Sequence, residues 1–150
     1  MTFRLPPSLI RVDVAETTLL ESTARTRQLL SRLREMGVGV AMDDFGTGFS
    51  SLSSLKELPV DALKLDRVYF EELRSLSQGE AIARGLVALA REYSMEVIAE
   101  GVESGPQAEF LRAVGCDALQ GYWSGLPVPA GDFAGLLVSQ QDKASMGAIG

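Results

Sequence analysis

The chain alternates short apolar segments with longer amphipathic ones. The short segments have the length and composition of β-strands. They cover Leu9–Val14, Val38–Met42, Ala62–Leu65, Glu96–Ala99 and Ala118–Gln120. Because stretches with helical periodicity lie between these strands, the pattern predicts an α/β fold with a parallel sheet.

Several of the longer segments repeat apolar residues with the period of an α-helix. The predicted helices cover residues 22–37, 80–93, 107–115 and Leu52–Leu58. Gly37 and Gly115 stand at the ends of two of them, where a residue that tolerates positive φ is favoured. Residues 139–150 are small and polar, and we expect them to form a flexible tail after one domain over residues 1–138.

Two architectures are compatible with about five strand–helix units. The first is an open, doubly wound sheet of the flavodoxin type, which five units would complete. The second is a partial (β/α) barrel, because a complete TIM-type barrel needs eight units. The hydrophobic pattern alone leaves both architectures open.

Alternate residues of a strand point to opposite faces of its sheet. Val40 and Met42 share one face of the second strand, whereas Ala41 and Asp43 share the other. In the third strand, Lys64 lies opposite its two leucine neighbours. The strands therefore have an apolar face for helices and a second face that ends in charged groups.

Polar side chains recur at or near the carboxyl ends of the predicted strands. They are Asp13, Asp43, Lys64, Glu100 and Gln120. In a barrel these strand ends meet at one mouth, where active sites lie. Carboxylates gathered there would repel one another, and a divalent cation would offset that repulsion. With Lys64 placed to orient water or stabilise negative charge, the sequence predicts metal-assisted hydrolysis, most naturally of a phosphate ester.

Composition narrows the chemistry further. The 150 residues include 14 basic and 20 acidic side chains, a net charge of −6 that disfavours a DNA-binding domain. The chain has no histidine and one cysteine, Cys116, so imidazole-ligated metals, Ser-His-Asp catalysis and thiolate zinc clusters are excluded. Any metal must have oxygen ligands, which favours a hard ion. No apolar run could span a bilayer and no signal core is present, so we expect a cytoplasmic protein.

Each of these residues alone also has a structural interpretation. Asp43 or Asp44 could cap the helix after its strand. Lys64 could be a solvated strand end, and Glu100 and Glu103 could lie on a loop surface. Their recurrence at successive strand ends favours the functional interpretation. A receiver domain also combines two acids with a lysine, but there the acid pair follows the first strand rather than the second.

Three strings in this order make the sequence recognisable. They are AMDDFGTGFSSLSSLKELPVDALKLDR, VIAEGVE and LQGYW. Together they resemble the EAL-domain family of bacterial cyclic di-GMP phosphodiesterases, whose fold is a modified TIM barrel. The resemblance runs from about Leu5 to about Leu137, so it implies a partial barrel of about five βα units rather than a doubly wound sheet.

The resemblance implies a role for each matching residue. It implies metal ligands at Asp13, Asp43, Asp44 and Glu100, and catalytic roles for Lys64, Glu100 and Glu103. It implies substrate or loop support from Glu16, Gly46, Thr47, Gly48, Asp66 and Gln120. It further implies two Mg²⁺ or Mn²⁺ ions in a complete barrel, with water attacking one phosphodiester of cyclic di-GMP to give linear pGpG.

Two departures from the family pattern change the expectation. Asp13 stands where the family has a metal-ligand glutamate, so its side chain is one methylene shorter. The Glu-Ala-Leu signature and the family's asparagine are absent, and we expect both upstream of Met1. We therefore interpret the chain as the C-terminal portion of an EAL domain that associates with itself or with an upstream barrel half.

Two functions remain open on this basis, beside a third possibility, a fragmented gene without an independent role. The chain could contribute to a cyclic di-GMP phosphodiesterase and be inactive or very weak alone, because the N-terminal ligands are missing. Alternatively, it could be a catalytically inactive module that binds cyclic di-GMP or a protein. In both cases cyclic di-GMP is an expected ligand, and DNA is not.

Overall fold

The computed structural model of the protein describes residues 5–21, 23–45, 58–70, 78–136 and 138. Its five strands form one parallel sheet in the order β1-β2-β3-β4-β5. The strands are β1 (Arg11–Ala15), β2 (Gly39–Phe45), β3 (Ala62–Leu65), β4 (Glu96–Ala99) and β5 (Ala118–Leu119). Each described strand pairs with its neighbour in sequence, and this order lacks the reversal that defines a doubly wound sheet.

Helices connect most of these strands. They are α1 (Glu16–Leu20), α2 (Ala24–Glu35), α3 (Gln78–Glu92) and α4 (Gly105–Val114), with 3₁₀ turns at Pro7–Leu9 and Arg67–Tyr69. The three longer helices match the predicted ones to within two residues at every end, whereas the short helix α1 was not predicted. The helix predicted over Leu52–Leu58 lies outside the described residues except for Leu58, and the predicted tail over residues 139–150 also lies outside them.

Local sequence explains where two of the helices begin and end. The Thr23 hydroxyl accepts a hydrogen bond from the Thr26 backbone at the start of α2. At the start of α4, Ser104 and Gln107 form a capping box, in which each side chain accepts from the other's backbone. Gly115 ends α4 with a φ of 95°, as its position predicted.

The two faces of the sheet differ as the alternation predicted. One face packs against the helices and forms the main core, which includes Val40, Met42, Leu63, Leu65, Val97, Leu30, Val87 and Leu111. The other face carries a small second cluster of Ala41, Ala62 and Ile98. Small side chains on this second face leave room beside the polar groups at its carboxyl end.

A β-bulge interrupts β2 where the acid pair lies. The register against β3 shifts between Met42 and Phe45, and Asp44 adopts a φ of 55°. The extra residue allows Asp43 to lie on the second face while Phe45, only 3% exposed, still packs into the main core. In the part of the chain that the structure describes, no helix has the length and apolar character needed to cross a membrane.

Candidate active site

The ammonium group of Lys64 lies at the centre of a cluster of carboxylates. Its Nζ is 2.6 Å from Glu100 Oε1, 2.7 Å from Asp13 Oδ2 and 3.6 Å from Asp43 Oδ1. Only 9% of the Lys64 side chain is exposed, whereas the three acids remain partly open to solvent. Three predicted metal ligands and one predicted catalytic lysine are therefore brought to one place.

The sheet positions these groups through its register. Asp13 of β1 pairs with Ala41 of β2, and Lys64 of β3 pairs with Ile98 of β4. Glu100 directly follows β4, and its backbone N–H donates to the Leu65 carbonyl at 3.0 Å. Because all strands are parallel, their carboxyl ends lie at the same edge of the sheet. Residues 87 positions apart in sequence thus meet in one cluster.

Opposing effects act on the protonation of Lys64. Burial alone would lower the pKa of Lys64, since it disfavours the charged ammonium. Hydrogen bonds to Asp13 and Glu100, and the negative charges of these carboxylates, outweigh burial and raise the pKa above its ordinary value. Lys64 is therefore a permanent cation at neutral pH and serves as a hydrogen-bond donor rather than as a base.

For Glu100, burial outweighs the effect of its partner on the pKa. Burial raises the pKa of the Glu100 carboxyl, and the neighbouring Asp43 and Asp13 charges add to that rise. The bond and charge of Lys64 act in the opposite direction but do not cancel it. The cluster thus has more negative charge than one ammonium group neutralises.

A cavity of about 460 Å³ opens beside the cluster. Asp13, Lys64 and Gln120 line it, together with Arg11 and Ile98. Gln120, predicted to support the substrate, follows β5, and its backbone N–H donates to the Ala99 carbonyl at 2.8 Å. The predicted glutamine and the charged cluster therefore share one opening.

Three other predicted residues have contacts with groups other than Lys64. Glu103 is exposed, and its carboxylate is 3.5 Å from Arg67. Asp66 accepts a hydrogen bond from the Val68 backbone at 2.8 Å and so caps the 3₁₀ turn. Glu16 is 2% exposed, and its charge contributes to a raised pKa of Tyr69, after burial as the main cause. The functional roles of Glu103, Asp66 and Glu16 stay predictions.

The remaining predicted residues are Asp44, which lies near the end of β2, and three residues that follow this strand. Asp44 is exposed, and its backbone N–H donates to Asp43 Oδ1 at 3.1 Å. Gly46, Thr47 and Gly48 lie outside the described residues, and their roles stay predictions.

The side chains in the cluster have the ligand atoms that a hard metal ion prefers, but they are not arranged around an ion. Carboxylate oxygens are the ligands that Mg²⁺ and Mn²⁺ prefer, and Asp13, Asp43 and Glu100 supply them. Among the described residues, however, no three such side chains are arranged to hold an ion. The group on which these acids converge is the Lys64 ammonium.

Ion pairs and hydrogen bonds of charged side chains at the other end of the strands were not predicted from the sequence. Arg11 forms an ion pair with Glu96 on the second face of the sheet. Asp61 accepts from the Val40 backbone at 3.0 Å and pairs with Arg34 of α2. Asp117 accepts from the Val97 backbone at 2.8 Å. An aspartate directly before a strand is the signal that could have indicated the last two contacts.

Known proteins resemble this chain over most of its length. A family model described as "EAL domain" matches residues 2–127. The bifunctional diguanylate cyclase/cyclic di-GMP phosphodiesterase MucR of Pseudomonas aeruginosa is 44% identical over 126 residues, which are 84% of this chain and 18% of MucR. This chain therefore spans less than a fifth of that relative.

Solved structures agree with the sequence match. The MucR phosphodiesterase in complex with c-di-GMP superposes with a TM-score of 0.79 at 43% identity, over 86% of this chain and 52% of that one. The EAL domain of Mycobacterium smegmatis DcpA gives a TM-score of 0.83 at 38% identity, over 90% and 60%. A manganese and c-di-GMP complex of Klebsiella pneumoniae BlrP1 gives a TM-score of 0.71 at 31% identity, over 79% of this chain and 30% of that one.

These matches confirm the partial (β/α) barrel that the sequence predicted. The described sheet accounts for five parallel strands of that barrel, and this chain covers about half of the solved MucR phosphodiesterase chain. Sequence, strand order and superposition thus agree, and the chain belongs to the EAL domain family.

Proposed function

We propose that this chain contributes a metal-dependent cyclic di-GMP phosphodiesterase site. The observation that carries the proposal is the convergence of Asp13, Asp43 and Glu100 on Lys64 at one edge of the sheet. The name of MucR and its solved complex with c-di-GMP support this choice of ligand.

Asp13, Asp43, Asp44 and Glu100 are the residues proposed to hold Mg²⁺ or Mn²⁺, with two ions in the complete barrel. The BlrP1 structure, which contains manganese, supports the class of ion. When bound, such an ion offsets the carboxylate charge, polarises the phosphate and lowers the pKa of a coordinated water.

The chain's own groups would orient the phosphodiester. The Lys64 ammonium lines the cavity beside Asp13, and we propose that it positions a water or a phosphate oxygen there. Gln120 offers an amide at the same opening. Hydrolysis of one of the two phosphodiester bonds of cyclic di-GMP opens the ring and gives linear pGpG.

A second candidate function is binding of cyclic di-GMP without turnover. It is favoured because the described residues include no three acids arranged to hold an ion, and because Asp13 is shorter than the glutamate it replaces. We therefore propose that these 150 residues alone hydrolyse cyclic di-GMP weakly or not at all, although they contribute to its site.

Product analysis with a binding measurement tests these proposals. The chain is incubated with cyclic di-GMP and Mn²⁺, pGpG is quantified by chromatography, and bound ligand is measured by equilibrium dialysis. We expect binding that Glu100→Gln weakens and that Glu109→Gln, on the exposed side of α4, leaves unchanged. Absence of binding would contradict the proposed ligand, and robust turnover would overturn the weak-activity proposal.

Self-association is proposed from the edges of the sheet. Among the described strands, β1 and β5 each pair on one side only. Unpaired strand edges readily recruit another chain, so a second copy is the proposed partner for this chain alone. Sedimentation velocity at micromolar concentration should show dimers or larger species, and a compact monomer would contradict this proposal.

A further inference from the structure

We propose that the Lys64 ammonium and a divalent cation are alternative occupants of the space between Asp13, Asp43 and Glu100. The inference rests on the proposed function, because it concerns the same metal ligands. In the structure, the ammonium contacts all three acids within 3.6 Å and is almost fully buried. Lys64 therefore acts as an internal counterion that metal binding must displace.

The distances support competition rather than coexistence. The shorter ammonium contacts, to Asp13 and Glu100, are 2.7 and 2.6 Å. A Mg²⁺ ion needs its oxygen ligands at about 2.0–2.1 Å in a near-octahedral arrangement. Carboxylates cannot close around an ion at that distance while an ammonium nitrogen occupies the point on which they converge.

The charges explain why the exchange is feasible. Three ionised carboxylates and one ammonium leave the cluster with a net charge of 1 − 3 = −2. A divalent ion supplies twice the charge of the ammonium and so neutralises the acids more completely. Lys64 offsets the repulsion among the three carboxylates in the empty site, but it also weakens the apparent affinity for metal.

The function of Lys64 then changes with occupancy. Without metal, Lys64 holds the three strand ends together through its contacts with Asp13, Asp43 and Glu100. With metal, the released ammonium has free N–H groups beside the cavity that Gln120 also lines. The released group is then available to donate to a water or a phosphate. Metal binding therefore frees the donor that the reaction needs.

The first test compares apparent Mn²⁺ affinities by electron paramagnetic resonance, without nucleotide, for wild type, Lys64→Met and the control Arg25→Met. Both variants lose one positive charge, but Arg25 is exposed on α2. We expect Lys64→Met to bind Mn²⁺ at least about tenfold more tightly, which is about 1.4 kcal/mol, and Arg25→Met to match wild type. Unchanged or weaker binding by Lys64→Met overturns the inference.

The second test uses the wild-type chain, in case Lys64→Met fails to fold. The chain has three lysines, Lys56, Lys64 and Lys143, so ¹³Cε-labelled lysine gives three signals that can be assigned. Addition of Mg²⁺ should shift the Lys64 signal with the same apparent affinity that calorimetry gives. An unchanged Lys64 signal during measured Mg²⁺ binding overturns this inference alone. Failure of both wild type and Lys64→Met to bind either ion overturns the proposed metal site as well.

Discussion

Lys64 Nζ of β3 lies 2.6 Å from Oε1 of Glu100, the residue that directly follows β4. This contact joins two neighbouring strand ends on the face opposite the main core. It also places a carboxyl whose pKa is raised next to a lysine whose pKa is raised. The stability of the metal-free cluster should therefore depend on pH through both groups.

For Glu100, the sign follows from the direction of its shift. The folded chain holds the Glu100 proton to a higher pH than the unfolded chain, whose pKa is near 4.5, because burial raises the folded value. Between these two values the folded state binds more protons, so this group lowers stability as pH rises. In EDTA, Glu100→Gln should flatten the fall in the free energy of unfolding above pH 4.5, measured by urea denaturation.

Glu109→Gln provides the control, since Glu109 is exposed on α4. It should reproduce the wild-type pH profile. A Glu100→Gln profile that coincides with wild type would show that Glu100 carries no burial penalty.

Asp13 should limit the affinity for metal because of its length. Its Oδ2 reaches Lys64 at 2.7 Å, but the side chain is one methylene shorter than the glutamate that the EAL pattern has there. Asp13→Glu should tighten Mn²⁺ binding about threefold to tenfold, and Asp13→Asn should weaken it by about tenfold or more. Titration of free Mn²⁺ by electron paramagnetic resonance measures both changes. Equal affinity of Asp13→Asn and wild type would remove Asp13 from the proposed ligand set.

Gly121 is expected to be indispensable for the loop that carries Gln120. A Cβ at Gly121 would lie closer than 3.0 Å to backbone atoms of Val102, which cannot move as a side chain can. Gly121→Ala should lower the free energy of unfolding by about 2 kcal/mol more than Gly125→Ala. The comparison is matched, because the two glycines have φ values of 153° and 152° and nothing lies within 4 Å of a Cβ at Gly125. If urea denaturation gave the same loss of unfolding free energy for both variants, the loss would come from the φ angle alone and not from the contact with Val102.

Cys116 should react slowly in the folded chain. Burial as the main cause, together with the Asp117 charge and against the opposing charge of Arg91, raises the pKa of its thiol from 9.0 to about 11. At pH 8.5, iodoacetamide should label the folded chain at least about tenfold more slowly than the chain in urea, because the thiolate is the reactive form.

The same shift predicts that stability falls as pH rises. Above the unfolded pKa the unfolded thiol ionises first, while the folded thiol keeps its proton up to about pH 11. The free energy of unfolding should therefore fall through this interval, and Cys116→Ala should remove that part of the fall. Rapid labelling of the folded chain would contradict the raised pKa of the half-buried Cys116 thiol.

Periodicity predicted most of the fold. The bounds of β3 and β4 match the predicted strands at every residue, since both strands are fully apolar on the face that packs against α3. The hydrophobic pattern alone could not distinguish an open sheet from a barrel, because strand order depends on which strand edges pair rather than on local composition.

Strand alternation also predicted part of the site. Alternation correctly placed Asp13, Asp43 and Lys64 on one face, and Glu100 meets them beyond the end of β4. It could not predict the bulge at Asp43–Asp44, where one extra residue changes the face without any change in composition. Nor could it show that Glu103 pairs with Arg67, since loop direction depends on tertiary contacts.

The most direct test of the account is where Mn²⁺ binds on the chain. In ¹⁵N-resolved nuclear magnetic resonance spectra, substoichiometric Mn²⁺ broadens amide signals with a steep dependence on distance. The account predicts that signals of Asp13, Asp43 and Glu100 broaden first, while those of Arg34 and Arg91 persist, because these arginines lie at the ends of α2 and α3 and contact Asp61 and Gly115 at the opposite strand ends. Broadening spread evenly over the acidic surface, or centred on Glu96, would contradict a metal site at the Lys64 cluster.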